Sequence, residues 1–184
     1  MTLPAHRPSQ REAILDAALV LLRDGGTLSL ESAARAAEVS KPGLMYHFPT
    51  KEALVGALID HLMARYERDL TALLPAGRTD LGPHDRIAAY VRWALTTQHD
   101  SADLVMLSDP RLRDRMTTRW ADQFVAWLDV PAALPDDDRA RLNAARLLAD
   151  GCWFADASGV LPVPAADRPA LLAVALSLVE GGAR

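Results

Sequence analysis

Apolar residues recur at spacings of three and four along almost the whole chain, and strict alternation persists nowhere. Ile14, Ala18, Leu21 and Leu22 open the pattern, and Leu54, Leu58, Leu62, Tyr66 and Leu70 continue it over one long stretch. A period near 3.6 puts such residues on one helical face, whereas a half-buried strand needs a period of two. The chain is therefore expected to be all-α. No internal repeat or low-complexity tract interrupts the pattern.

Capping and breaking residues divide it into elements. Ser9-Gln-Arg-Glu12 is a capping box that starts a first helix, and Gly25-Gly26 stops it. Ser29 is placed to cap a short second helix to about residue 36. Ser40 caps a third, in which Pro42 falls in the first turn and costs no hydrogen bond. Thr50 caps a fourth, with Glu52 near the positive end of its dipole, running to about residue 74. Beyond "PAGRTDLGP", helices are expected over about 84–98, 102–108, 110–129, 136–158 and 167–180, separated by proline-bearing breakers. The last of these is apolar all round and too short to cross a bilayer, so it is expected to be buried on every side. In the preceding helix Ala144, Leu148, Gly151 and Ala155 form a small-residue edge, with Leu147 and Phe154 on another. Two helices with so much apolar surface point to a dimer interface, to which Leu172, Leu176 and Val179 are also assigned.

Charge excludes a protein that coats nucleic acid. The formal net charge is -4 over 184 residues, so any contact with DNA must be local. Residues 1–55 are balanced, with six basic and six acidic side chains, and the deficit lies in the remainder. Both lysines of the chain, Lys41 and Lys51, fall in "VSKPGLMYHFPTKEAL". The single cysteine, Cys152, cannot form an internal disulfide and is read as a small buried hydrophobe. The N-terminus lacks a signal-like apolar core and no apolar run reaches membrane-spanning length, so a cytoplasmic, non-membrane protein is expected.

The second and third helices have the proportions of a helix-turn-helix. Ser40, Lys41 and Pro42 open the third helix, whose free N–H groups suit phosphate. Gly43 lets a base edge or sugar approach the backbone. Tyr46 and His47 can donate to phosphate oxygens, and Lys51 adds a full charge at the next helix start. Leu44 and Phe48 are read instead as anchors in a small core with Ile14, Leu22 and Leu54. Singly, the lysines could be solvated surface charges and His47 a packing residue; it is their grouping that favours the DNA reading.

The stretch from about Arg11 to Leu58 resembles the DNA-binding domain of the TetR/AcrR family of bacterial transcriptional regulators. The matching pieces are Thr27-x-Ser29, the turn ending Val39-Ser40-Lys41, Tyr46-His47-Phe48, and Pro49-Thr50-Lys51-Glu52-Ala53-Leu54. Two positions depart from the family pattern: Glu38 stands where the turn usually has glycine, and Met45 where an aromatic residue is common. The resemblance implies a three-helix DNA-binding unit over 1–55 and an all-helical effector-binding and dimerisation unit over 56–184. It also implies a homodimer whose paired third helices enter successive major grooves of a palindromic operator. A small effector bound in the second unit would release the DNA, in most cases making the protein a repressor.

Trp120, Phe124 and Trp127 repeat at helical spacing, as do Tyr90 and Trp93. Such stripes are normally core, and in this family the core of the second unit is also where the effector sits. Leu62, Tyr66, Tyr90, Trp93, Met106, Trp120, Phe124 and Trp153 are therefore assigned to the pocket, Leu62 and Tyr66 from the fourth helix, which a bound ligand is expected to tilt. A site so lined is expected to take an apolar or aromatic ligand through few hydrogen bonds. Arg111, Arg113, Arg115 and Arg119 interleave with acids and read as a solvated face. His61 and His99 lack partners at a ligand spacing, so no metal and no other cofactor is expected. Glycine-rich phosphate loops and hydrolase motifs are absent, which argues against an enzyme. The alternative reading is an all-helical ligand-binding or scaffolding protein with a vestigial DNA-binding unit.

Overall fold

The computed structural model describes residues 9–74 and 81–181, and the side chain of Met106 lies outside what it describes. Among these residues the chain forms eight α-helices and one short 3-10 helix, with no strand. Helix α1 (Gln10–Arg23) begins on the expected capping box: the Ser9 amide donates to Glu12 Oε2 at 2.8 Å, and the Glu12 amide to Ser9 Oγ at 3.3 Å. It ends where Gly25 takes a φ of +76°. Gly26 is needed for a different reason: a Cβ there would lie 2.8 Å from the Leu21 carbonyl oxygen.

Helices α2 (Leu30–Ala36) and α3 (Lys41–His47) start on the side-chain caps of Ser29 and Ser40. The turn between them places Glu38 at φ +54°, a left-handed conformation that costs a non-glycine residue about 1–2 kcal/mol. Leu44 and Phe48 are buried with Ile14, Leu15 and Leu54, so α3 is pinned by one face and shows the other to solvent. Leu22 packs at the edge of this core.

Helix α4 (Lys51–Ala72) runs through one hydrophobic core that extends from α1 to the C-terminal helices. Leu54, Val55 and Leu58 are buried in its first half, and Leu62, Met63, Tyr66 and Leu70 in its second. Beyond it come α5 (Pro83–Thr96), the 3-10 helix Ser101–Leu107, α6 (Arg113–Leu128), α7 (Asp136–Ser158) and α8 (Arg168–Glu180). Helix α5 is the hub, packed against α7 and α8 with Ile87, Val91, Trp93 and Ala94 enclosed. Two expected boundaries shift. The 101–107 segment is 3-10 because Asp100 and Asp103 cap it reciprocally and Leu104 leaves helical geometry. Helix α6 starts three residues after the Asp109-Pro110 breaker because Asp109 Oδ1 accepts the Arg111 amide at 2.9 Å, closing a turn there.

The last two helices are only partly covered within one chain. Within one chain α8 buries only Ala175 and Val179, while Val174 is 55% exposed and Leu172 and Leu176 are half-buried. On α7, Leu142, Ala145, Ala149 and Cys152 face inward. Ala144, Leu147, Gly151 and Phe154 are exposed on the other side, with Leu148 and Ala155 half-buried. Leu147 and Phe154 thus share the open face with the small residues instead of forming a separate edge. Val179, expected at an interface, belongs to the chain's own core. Burial pushes the Cys152 thiol up from its ordinary pKa, consistent with a packing role. No helix among the described residues is long and apolar enough to cross a membrane.

Candidate functional site

The solvent face of α3 gathers the residues assigned to DNA. Tyr46 is 86% exposed, Lys41 and Pro42 are exposed at the helix start, and Thr27 is exposed before α2. Ser29 and Ser40 are occupied as caps: Ser40 Oγ accepts the Gly43 amide at 3.1 Å. A Cβ on Gly43 would lie 3.1 Å from that same oxygen, so glycine here protects the cap as well as leaving room for a ligand. His47 is half-buried and its Nε2 lies 3.4 Å from Gln10 Oε1, which ties α3 to α1. Lys51 is not free. Its Nζ sits 2.8 Å from Asp109 Oδ2, on the segment leading into α6. The Lys51 ammonium and the Arg111 amide hold the Asp109 carboxyl below the usual carboxylate range.

That pair is the first of three charged rungs between α4 and the α6 region. Arg115 reaches Glu52 at 2.6 Å, and Arg119 Nε donates to Asp60 Oδ1 at 3.0 Å, joined there by Gln123 at 2.8 Å. Partial burial opposes ionisation of Asp60, but the hydrogen bonds from Arg119 and Gln123 outweigh it and lower its pKa. The arginine run is therefore only partly a solvated face: Arg115 and Arg119 fasten α6 to α4. A separate tie joins α1 to the 3-10 helix, through Arg23 with Asp100 and through Ser101 Oγ donating to the Leu22 carbonyl at 2.8 Å.

A cavity of about 660 Å³ opens between α5, α6 and α7. Tyr90, Trp93 and Phe124 form its buried floor, Trp120 and Trp153 its half-buried walls, and Val125 and Phe154 its exposed lip. Trp120 stacks toward Trp153 with ring centroids 5.7 Å apart, and lies 5.5 Å from Phe124. Leu62 is sealed in the core and does not line this space, and Trp127 lines a smaller one beside Tyr66. Tyr66 sits beneath the floor, its ring 4.7 Å from Trp93 and 6.0 Å from Trp120.

One wall is polar, which the sequence expectation missed. Tyr90 donates to Asp150 Oδ1 at 2.7 Å, Arg146 donates to Asp150 Oδ2 at 2.9 Å, and Asn143 and Asp129 complete the lining. The signal was available: residues 143, 146, 150 and 153 share one helical phase, so Trp153 brings them with it. Burial, then the Asp150 charge, pushes the Tyr90 phenol well above its ordinary pKa, so it stays a donor. Below the floor, Asp103 accepts from Tyr66 and lies 3.1 Å from His99 Nδ1 and 3.4 Å from Arg65. His61 pairs with Asp16 at 2.7 Å, so the two histidines have separate acidic partners. Among the described residues no group of three side chains forms a metal cluster.

Comparison with known proteins places this geometry. Residues 14–58 match the model of bacterial regulatory proteins of the tetR family, and residues 84–180 match the Tetracyclin repressor-like C-terminal domain. The HTH-type transcriptional regulator BetI of Rhizobium meliloti is 39% identical over 88 residues, 46% of this chain and 41% of that protein. RutR of Escherichia coli K12, also an HTH-type transcriptional regulator, is 36% identical over 94 residues, 50% of this chain and 42% of its own length. The chain thus spans less than half the length of these curated relatives. Among solved structures, the multidrug binding protein EbrR complexed with malachite green superposes with a TM-score of 0.62 at 24% identity, covering 93% of this chain and 98% of that one. A TetR-family protein from Streptomyces coelicolor gives 0.60 at 23% identity, over 93% and 98%. Likeness at that identity speaks for the fold.

Proposed function

Because this chain belongs to the TetR family of bacterial regulatory proteins, we propose that it is a cytoplasmic transcriptional repressor and not an enzyme. It binds a palindromic operator as a homodimer and releases it when a small aromatic or apolar molecule fills the cavity. The observation that carries this reading is the span of α4 and α6. Helix α6 and its leader pair with the α3 end of α4 at Lys51, Glu52 and Asp60, while α6 walls the aromatic cavity with Trp120 and Phe124 and α4 lies under its floor through Tyr66.

The cavity volume falls within the range of small-molecule sites. Malachite green, bound by EbrR, is a suitable first probe for it. The polar wall of Asn143, Arg146 and Asp150 gives the ligand more hydrogen-bonding capacity than an apolar pocket has. To lower operator affinity a hundredfold, the ligand must favour the DNA-free state by about 2.7 kcal/mol.

The open apolar face of α7 and α8 supports the dimer, with Ala144, Leu147, Gly151, Phe154, Leu172 and Val174 available for an isologous contact. Gly151→Arg tests it cleanly, since a side chain there meets nothing within 4 Å in its own chain. The variant is expected to sediment as a folded monomer and to lose operator binding. A wild type that is monomeric at micromolar concentration would end the dimer model.

DNA recognition is tested by fluorescence anisotropy on fragments of the protein's own upstream region. Lys51→Ala is expected to weaken binding to all sequences and flatten the salt dependence by about one unit of slope. Retention of wild-type affinity and slope would remove Lys51 from the interface.

A further inference from the structure

Lys51 starts α4 beside the exposed face of α3, where an ammonium can meet an operator phosphate. In the folded chain that ammonium already has an anion. Asp109 Oδ2 lies 2.8 Å from Lys51 Nζ, while Oδ1 of the same carboxylate is held at 2.9 Å by the Arg111 amide. The pair is neither fully solvated nor enclosed: the Lys51 side chain is 31% exposed and that of Asp109 17%. A carboxylate is chemically a poor neighbour for a phosphate. If it stayed on the ammonium it would cancel its charge and set two anions against each other.

We propose that Asp109 is an intramolecular stand-in for operator phosphate, occupying Lys51 in the DNA-free protein and yielding it when the operator binds. The proposal rests on Lys51 being a phosphate contact, and Asp109 acts on DNA only through Lys51. Its position gives the competition a second consequence. Asp109 is part of the leader into α6, and the far half of α6 walls the cavity with Trp120, Phe124 and Val125. A cavity ligand that shifts α6 therefore changes how firmly Lys51 is held, without touching the DNA-binding unit. Glu52 with Arg115 and Asp60 with Arg119 keep the same two helices in register alongside it.

Asp109→Asn tests this in the full-length protein, because an amide of the same size still accepts the Arg111 N–H. Operator and unrelated duplex should both bind about two- to fivefold more tightly at low salt, the range set by one partly exposed ion pair. The salt dependence should steepen by up to about one unit of slope. In a Lys51→Ala background the same substitution should change nothing. Affinity equal to or weaker than wild type for Asp109→Asn, where Lys51→Ala still shows its loss, would overturn the competition alone. An equal gain in the Lys51→Ala background would overturn it too, by showing a general effect of removing negative charge. Wild-type binding by Lys51→Ala would remove the phosphate reading and the competition with it.

Discussion

The two halves of α4 share a buried apolar face, to which the first adds ion pairs with the α6 region. These ties run through Lys51, Glu52 and Asp60, in pairs whose side chains are 17% to 71% exposed. Such pairs contribute about 0–1 kcal/mol each and weaken with salt. Both halves are packed, with Leu54, Val55, Leu58 and Ile59 enclosed in the first and Leu62 and Leu70 in the second, where Tyr66 also touches Trp93, Trp120 and Phe124. Burying one such side chain is worth about 1.5–3 kcal/mol and is insensitive to salt. The difference says which end responds to salt. A cavity ligand meets α5, α6 and α7 and reaches α4 only through the rings packed on Tyr66, while salt loosens the ties at the α3 end.

The largest expected effect is on the aromatic end. Trp93 is 1% exposed at the centre of the aromatic cluster, so Trp93→Ala should cost about 3–5 kcal/mol in urea denaturation. That makes it a poor probe of ligand binding, contrary to what its place in the aromatic stripe suggests. Half-buried Trp153 at the cavity wall is the better choice. A loss below about 1 kcal/mol would show the cluster to be loose and the comparison wrong.

Tyr66→Phe keeps the ring and removes only the hydroxyl that donates to buried Asp103. A loss of about 1–3 kcal/mol is expected, read from the shift in the urea midpoint. No loss would mean that Arg65, His99 and the Asp100 amide satisfy Asp103 by themselves. At the tied end, Arg119→Ala should cost only about 0.2–1 kcal/mol, and less in high salt. Its pH dependence has a definite sign. The folded pKa of Asp60 is depressed, so the contribution is present above the ordinary carboxylate pKa and is lost as pH falls through the lowered one. Wild type and Arg119→Ala should therefore converge in stability at acid pH.

The tied and aromatic ends were also unequally legible in the sequence. Ser9, Ser29, Ser40 and Thr50 could be read as caps because a cap is settled within three residues. Leu44 and Phe48 as anchors followed from helical phase. The aromatic floor of Tyr90, Trp93 and Phe124 was legible for the same reason, and the polar wall on the Trp153 phase could have been. Lys51 with Asp109 could not, because the partners lie in different units and nothing local to either marks the other. Nor could the sequence tell that Val179 turns inward while Val174 turns out, since a helix apolar on every side has no phase to read.

Backbone hydrogen exchange along α4 tests the unequal tethering most directly. On raising salt from about 0.05 M to about 0.5 M, more than enough to screen partly exposed ion pairs, amides 55–61 should exchange faster. Amides 63–70, beneath the aromatic floor, should keep their protection. Uniform change along the helix, or none at either end, would contradict the account, because the ion pairs would then add nothing to the packing that both halves share.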